Sequence, residues 1–567
     1  MRFSGHVPAA VWASIALLLL GTALLFTAAT AARWAGRDNI HPGLASWHTS
    51  GSVVFASHWR AEGVLPLRFA MVWTPPTVEQ PTLASRPVYT SFMSGSILPL
   101  YLVSWVSGQP PSVRMARALT LLVQALVAFV IALIVLQLGR RLHVSLAGVV
   151  PLALAAAAWV CWAPSPYYEH IQGYFADQIV LLPFVLFLGV EALRTADASP
   201  AQRRCWDALQ GVLIVWGLAT EWLFAFVAAT AFVVRCADGS FGKPSPRAVF
   251  RAAVFSAPVL VTLACFALQL YLLGAFAATG DRFRARAGVD TGIQESHGVF
   301  ESVSHLLTPT VGDRFWTFQL PNGFGPLALP IVLATLALAL GLVLFVVASR
   351  LRGRPIHEGV ATATRVLILA LVPCLLYGQV FQEHVSNMFH FFTALKFVVP
   401  VALGCALVPL LAARAVARMK YLPAGLMQAG ALAVLIYLGT LGDARAHLFV
   451  LAGPSGVPAA AYGPFVRAHT GYADIVVSTD FNAGSTDPIA QMYTGRLVHQ
   501  VASLDDVRKI AAPVAGAYTI ALIARAGSET VHRAGLDQIT ARPPIQEADG
   551  WVLWRMDKAA FEALWSS

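Results

Sequence analysis

Ala208-Leu-Gln-Gly-Val-Leu-Ile-Val-Trp-Gly-Leu-Ala-Thr-Glu-Trp-Leu-Phe-Ala-Phe-Val-Ala-Ala-Thr-Ala-Phe-Val-Val234 carries a single charge, Glu221, near its middle. It reads either as one long tilted helix or as a hairpin of two short ones, and the choice reverses the side on which everything after it lies. The surrounding chain makes that choice matter. Of its 567 residues 57% are hydrophobic and 12% charged, and the mean hydropathy is +0.66. A soluble domain holds about 25% charged residues, so the composition is that of a polytopic membrane protein. Apolar runs occur at 7–32, 118–139, 145–163, 174–193, 208–220, 222–234, 252–275, 326–349, 366–381, 391–413 and 423–441, which predicts eleven spans. The first run is too long for a cleaved leader and reads as an anchor.

Loop charge decides between the two readings. With the N-terminus inside and a hairpin at 208–234, the inner segments carry Arg2, Arg140, Arg141, Arg194, Arg203, Arg204, Arg235, Lys243, Arg247, Arg251, Arg350, Arg352, Arg354, Arg365, Arg414, Arg418 and Lys420. The opposing acids are Asp197, Asp207, Asp238 and Glu358. Basic residues favour the cytoplasmic side, so every inner loop agrees with the hairpin. The net charge of +10 is then a topology signal, and nucleic acid is excluded as a partner.

This orientation predicts a membrane module over 1–444, with large outer loops at 33–117 and 276–325, and an extracytoplasmic domain over 445–567. The apolar stretch Tyr89–Val106 is broken by Gly95 and Pro99 and reads as a helix lying along the outer interface. In the tail, strand-like runs at Asp474–Ser478, Thr519–Ala524 and Trp551–Met556 alternate with helical stretches at 488–493 and 504–510, the pattern of a small α/β domain. The six cysteines form no CxxC or Cys/His zinc spacing. Asp480, Asn482 and Asp487, after a strand, read as turn formers.

Polar side chains at the outer ends of spans are the site candidates, because burying them in a bilayer is costly. Glu221 sits at the hairpin apex, as a turn carboxylate or a substrate ligand. Asp177 lies one turn into the fourth span, where it also suits an N-cap. Before it, Pro164-Ser-Pro-Tyr-Tyr-Glu-His170 places Glu169 and His170 among tyrosines, a setting that suits a sugar. His384 and His390 head a later span; their spacing of six suits no single helical face, which argues against a zinc pair. Lys396 follows, as a snorkelling cation or a phosphate ligand. Arg282, Arg284 and Arg286 alternate in an outer loop; if extended, they share one face that fits a phosphate, and lipid headgroups are the competing partner. Asp38, His41, His48, His58 and Glu62 in the first outer loop are candidate bases.

The order of these parts over 8–410 resembles the GT-C superfamily of membrane glycosyltransferases, the group of the protein O-mannosyltransferases and aminoarabinose transferases. The resemblance rests on an anchor followed by a long outer loop, with Trp59-Arg-Ala-Glu-Gly63 and Arg86-Pro-Val-Tyr89 as degraded first-loop landmarks. Val113-Arg-Met-Ala-Arg-Ala118 then leads a span, and the hairpin carries Gly217-Leu-Ala-Thr-Glu221. It implies transfer of a sugar from a polyprenyl-phosphate donor to an extracytoplasmic acceptor, in the cytoplasmic membrane. The family's interval back from Gly63 lands on His48 where an acid is expected, and Asp38 is the nearest upstream carboxylate. The resemblance therefore implies Asp38 or His48 as base, Arg284 and Arg286 with Lys396 at the leaving phosphate, and Glu169, His170, Asp177, Glu221, His384 and His390 at sugar or acceptor. It leaves a divalent metal open. The competing classes are a lipid or glycan transporter, disfavoured because no internal repeat occurs, and a non-catalytic envelope scaffold, for which the missing first-loop acid speaks and against which the outer cluster of Asp177, Glu221, Arg284 and His384 speaks.

Overall fold

The computed structural model describes residues 9–33, 44–195, 197–286, 315–381, 385, 391–415, 422–451, 458–479, 488–541, 543–544, 546–548 and 550–566. From the N-terminus, α1 (Ala9–Arg33) leads to a loop region built on α2 (Leu44–Glu62). There β1 (Met71–Val72) pairs antiparallel with β2 (Val88–Tyr89), and α3 (Leu98–Ser107) follows. Next come α4 (Val113–Arg141) and α5 (Leu146–Trp162), then the short α6 (Pro164–Gln172) and α7 (Ala176–Ile179) leading into α8 (Leu181–Leu193). α9 (Pro200–Thr220) and α10 (Leu223–Asp238) meet at Glu221, and α11 (Pro246–Leu272) precedes α12 (Phe276–Arg286). α13 (Ala328–Leu351), α14 (Glu358–Val380), α15 (Val398–Ala415) and α16 (Leu422–Thr440) complete the bundle.

Each of the eleven apolar runs is helical. Among the described residues seven helices are long and apolar enough to cross a membrane, or eight if α5 and α6, bent by 52°, form one span, so the chain is a multi-pass membrane protein. The expected count of eleven is larger because α9, α10 and α16 fall short of that test. α9 opens with Arg203, Arg204 and Asp207, and α10 has only 16 residues. The break between these two is real: Leu223 N–H donates to Glu221 Oε2 at 2.8 Å, turning the chain. A Cβ on Gly217 would stand 2.1 Å from the Phe224 ring, so this close return of α10 on α9 needs glycine. Serine caps set the helix starts: Ser112 accepts from Met115 N–H (3.2 Å), Ser199 from Gln202 N–H (3.2 Å) and Ser245 from Ala248 N–H (3.3 Å).

Packing sorts the helices by side-chain size. In α5 the run Ala155–Ala158 is fully buried and lets α4 approach closely, the way small residues drive helix association where lipid competes for apolar surface. α4, α8, α14 and α15 are largely covered, whereas α1, α11 and α13 show most of their apolar surface outward, as lipid-facing helices do. α3 has ten residues, too short to cross, and exposes Leu98, Leu102, Trp105 and Val106. That agrees with the interfacial reading.

The tail forms a five-stranded sheet in the order β4-β3-β5-β7-β6. Its strands are β3 (Asp474–Ser478), β4 (Val498–Gln500), β5 (Thr519–Arg525), β6 (Gln546–Ala548) and β7 (Trp551–Asp557). β3 runs parallel to β4 and β5, and β7 antiparallel to β5 and β6. Helices α17 (Pro458–His469), α18 (Pro488–Thr494), α19 (Leu504–Ala511) and α20 (Lys558–Ser566) cover it. The tail is docked on the first loop region: α18 packs along α2, Val78 joins the apolar side of the sheet, and His499 Nε2 lies 3.4 Å from Glu79 Oε1.

Candidate functional site

Lys396, on a single helical turn at 395–397 ahead of α15, is completely buried. A cation without solvent requires nearby negative charge, and the chain supplies it from two other elements. The ammonium donates to Asp177 Oδ1 at the head of α7–α8 and lies 4.0 Å from Glu221 Oε2 at the α9–α10 break. It also stands 4.1 Å over the ring of Tyr377 near the end of α14. Asp177 and Glu221 are 1% and 0% exposed. Asp177 Oδ2 and Glu221 Oε1 find no hydrogen-bond partner among the described residues. Two buried carboxylates thus share one cation, and the Tyr377 side chain is a further hydrogen-bond partner of Glu221.

Glu169 joins this group through Gln178, whose Nε2 donates to Glu169 Oε2 at 3.1 Å while its Oε1 accepts from Phe175 N–H at 2.9 Å. His48 flanks it. Its ring stacks on Phe175 (4.6 Å between centroids, 4° between planes) and meets Phe392 edge-on at 4.5 Å. Tyr89 continues the aromatic wall, 5.6 Å from Phe175, and Arg282 reaches Tyr89 from α12. The Arg282 guanidinium lies 5.5 Å from the Tyr89 centroid and its Nη1 donates to Thr90 Oγ1 at 3.3 Å.

Beside Arg282 an apolar groove opens between the first loop region and α11. One part, lined by Phe92, Met93, Leu218, Trp222, Leu263 and Phe266, is a shallow crease with no room for a water molecule. A second part continues past Phe69, Tyr89, Gln269 and Leu273 with about 10 Å³ of space, and Phe92 and Phe266 are common to both. Gly95 makes this wall possible, since a Cβ there would fall 2.6 Å from the Ala219 carbonyl oxygen.

Several sequence expectations change. The arginine segment is the helix α12 and not an extended strand, so alternate arginines point apart. Arg282 faces the site, while Arg284 turns to solvent and pairs with Asp281 at 2.7 Å, both more than half exposed. The side chain of Arg286 lies outside the described residues, as do Asp38, His41, His384, His390, Asp480, Asn482 and Asp487. The His170 Nδ1 meets the Thr120 carbonyl at 3.0 Å, tying α6 to α4, while its buried Nε2 has no hydrogen-bond partner among the described residues. His58 and Glu62 belong to the loop scaffold, where Glu62 takes a bidentate pair from Arg86 at 2.6 and 2.8 Å. Tyr377 and Gln178 were missed, because a tyrosine or glutamine within an apolar run carries no charge to signal it. Among the described residues no group of three His, Cys, Asp or Glu side chains is arranged to hold a metal ion.

The sequence matches no protein-family model and no curated protein. Solved structures do match. ArnT from Cupriavidus metallidurans, bound to undecaprenyl phosphate, aligns with a TM-score of 0.50 and 12% identity over 97% of this chain and 98% of that one. The oligosaccharyltransferase of Archaeoglobus fulgidus in its apo form gives 0.49 and 12%, over 90% of this chain and 69% of that one. The first likeness shows a shared fold from end to end.

Proposed function

We propose that the chain is a membrane glycosyltransferase that moves a sugar from a polyprenyl-phosphate donor to a hydroxyl acceptor on the extracytoplasmic side. The carrying observation is the buried group Asp177–Lys396–Glu221, beside an aromatic wall of His48, Phe175 and Tyr89 that Arg282 reaches from α12. The ArnT structure that shares the fold holds undecaprenyl phosphate, a ligand of this shape: a long apolar chain ending in an anion.

The reaction asks for three things. The acceptor oxygen attacks the anomeric carbon, its proton passes to a base, and the bond from that carbon to the phosphate oxygen breaks with the electron pair on phosphate. As that bond opens, the sugar gains oxocarbenium character and the phosphate gains charge. Arg282, and behind it Lys396, stabilise the leaving phosphate, because fixed cations in a site without water act strongly on developing charge. The free oxygens of Asp177 and Glu221, with Glu169, accept from sugar hydroxyls and face the positive anomeric centre. His48 or Asp38 takes the acceptor proton; His48 stands on the aromatic wall of the group. The prenyl chain stays in the bilayer, since moving its apolar length into water costs about 0.8 kcal/mol for each CH₂.

The test is sugar transfer in membranes reconstituted with the purified protein and a panel of polyprenyl-phosphate sugars, following release of polyprenyl phosphate. Release that disappears in Asp177→Asn supports the reading. Binding of the lipid without release from any donor would replace it with a transporter or scaffold.

A further inference from the structure

A second buried charge cluster lies at the other, arginine-rich end of the bundle and takes no part in the site. Glu191, in the last turn of α8, is 4% exposed. Gln210 of α9 donates to its Oε1 at 2.9 Å, and Arg235 of α10 approaches the same oxygen at 3.5 Å. Arg365 of α14 stands 3.9 Å from its Oε2. Gln210 accepts in turn from Arg235 and from Arg194 (3.0 Å), while Asp207 bridges Arg194 (2.7 Å) and Arg235 (3.2 Å) nearer the rim. Arg141 of α4 closes the ring, donating to the carbonyls of Leu193 (2.9 Å) and Arg194 (2.7 Å) and to Thr362 Oγ1 of α14 (3.1 Å).

One carboxylate thereby gathers α8, α9, α10 and α14. The same four helices supply the site at their opposite ends: Asp177 heads α8, Glu221 joins α9 to α10, and Tyr377 lies near the end of α14. Along α8 the two ends are about 20 Å apart at 1.5 Å per residue. Stability gives no reason for such a cluster, since buried ion pairs are often replaced by apolar groups without loss. Register does. Apolar helices in lipid can slide past one another at little cost, whereas a buried hydrogen-bonded charge accepts one arrangement only.

We propose, resting on the function above, that Glu191 is a positioning residue: its network fixes the relative height of four helices so that Asp177, Glu221 and Tyr377 converge on Lys396. The test removes the charges in pairs, so that no lone ion is left buried. In Glu191→Gln/Arg235→Gln the melting temperature stays near that of the parent, donor KM changes little, and kcat falls about ten-fold or more, as small misplacements of reacting groups do. A readout independent of turnover accompanies it. Spin labels at the lipid-exposed Val215 of α9 and Leu376 of α14 are placed in a chain whose Cys205, Cys236, Cys265 and Cys405 are replaced by alanine. Their pulsed-EPR distance distribution broadens in the double variant. Parental kcat and an unchanged distribution in a folded double variant would overturn the proposal. If that variant does not fold, Arg365→Gln, which removes only the half-buried α14 arm, gives the same reading: broadening supports the proposal and an unchanged distribution overturns it. If the parent protein transfers no sugar, the functional reading fails on its own and the distance measurement alone decides.

Discussion

Lys396 and Asp177, 219 positions apart in sequence, meet as an ion pair with neither side chain more than 1% exposed. Each is the other's reason for tolerating burial. Lys396→Met leaves both Asp177 and Glu221 without a cation and should cost about 3–5 kcal/mol, whereas Asp177→Asn leaves Glu221 to balance Lys396 and should cost less. Thermal unfolding of the purified protein in detergent, run as a double-mutant cycle, measures the coupling; strictly additive losses would show that the pair is not energetically linked.

Arg282 and Arg284 are two residues apart on α12 but face opposite ways. Arg282→Ala should weaken binding of a polyprenyl phosphate about ten-fold, in keeping with a charge-assisted contact worth about 1.5–3 kcal/mol. Arg284→Ala, which loses only an exposed pair with Asp281, should bind as the parent does. Equal affinities for the two variants, measured by lipid-binding titration, would remove Arg282 from the donor site.

His48 stacks flat on Phe175, two residues from Asp177. If it is the base, His48→Phe keeps the aromatic packing and donor binding but loses turnover by about 100-fold or more, the usual size of acid–base assistance. Parental turnover in that variant, with loss in Asp38→Asn instead, would move the role to Asp38.

Glu79 and His499 hold the tail against the first loop region. Burial raises the Glu79 carboxyl, but hydrogen bonds from His499 and Thr77 outweigh it and leave the group below its ordinary 4.5. A lowered carboxylate pKa stabilises above the unfolded value and is lost as pH falls through the folded one. Protection factors at 73–80 and 498–501, exchange corrected for its intrinsic pH dependence, should therefore fall below pH 4.5 and stay high near neutrality, and Glu79→Gln should show low protection at both.

The fold was legible where chemistry is local. Apolar runs bounded by arginines marked the helices, and continuous apolar runs such as Ile475–Val477 and Ile520–Ala524 marked buried strands. β4 and β6, with three residues each, are too short to show a period. In the site, Asp177, Glu221 and Lys396 stood out singly because charge in an apolar setting is costly, but nothing in the sequence pairs residues this far apart. The arginines of α12 were read as extended from their alternation alone, although the segment consists mainly of good helix formers such as alanine and arginine. Glu191 gives no signal in the sequence, because its partners Gln210, Arg235 and Arg365 come from helices far along the chain.

The contact of α18 with α2 bears on the order in which the protein is made. A ribosome delivers α2 and the bundle long before Pro488–Thr494, and domains in general fold as they emerge. The face of α2 that α18 covers must therefore wait, uncovered, until Pro488–Thr494 has been synthesised. A chain stopped after α16 would leave that face exposed beside His48, a natural target for quality-control proteases that recognise unfinished membrane proteins.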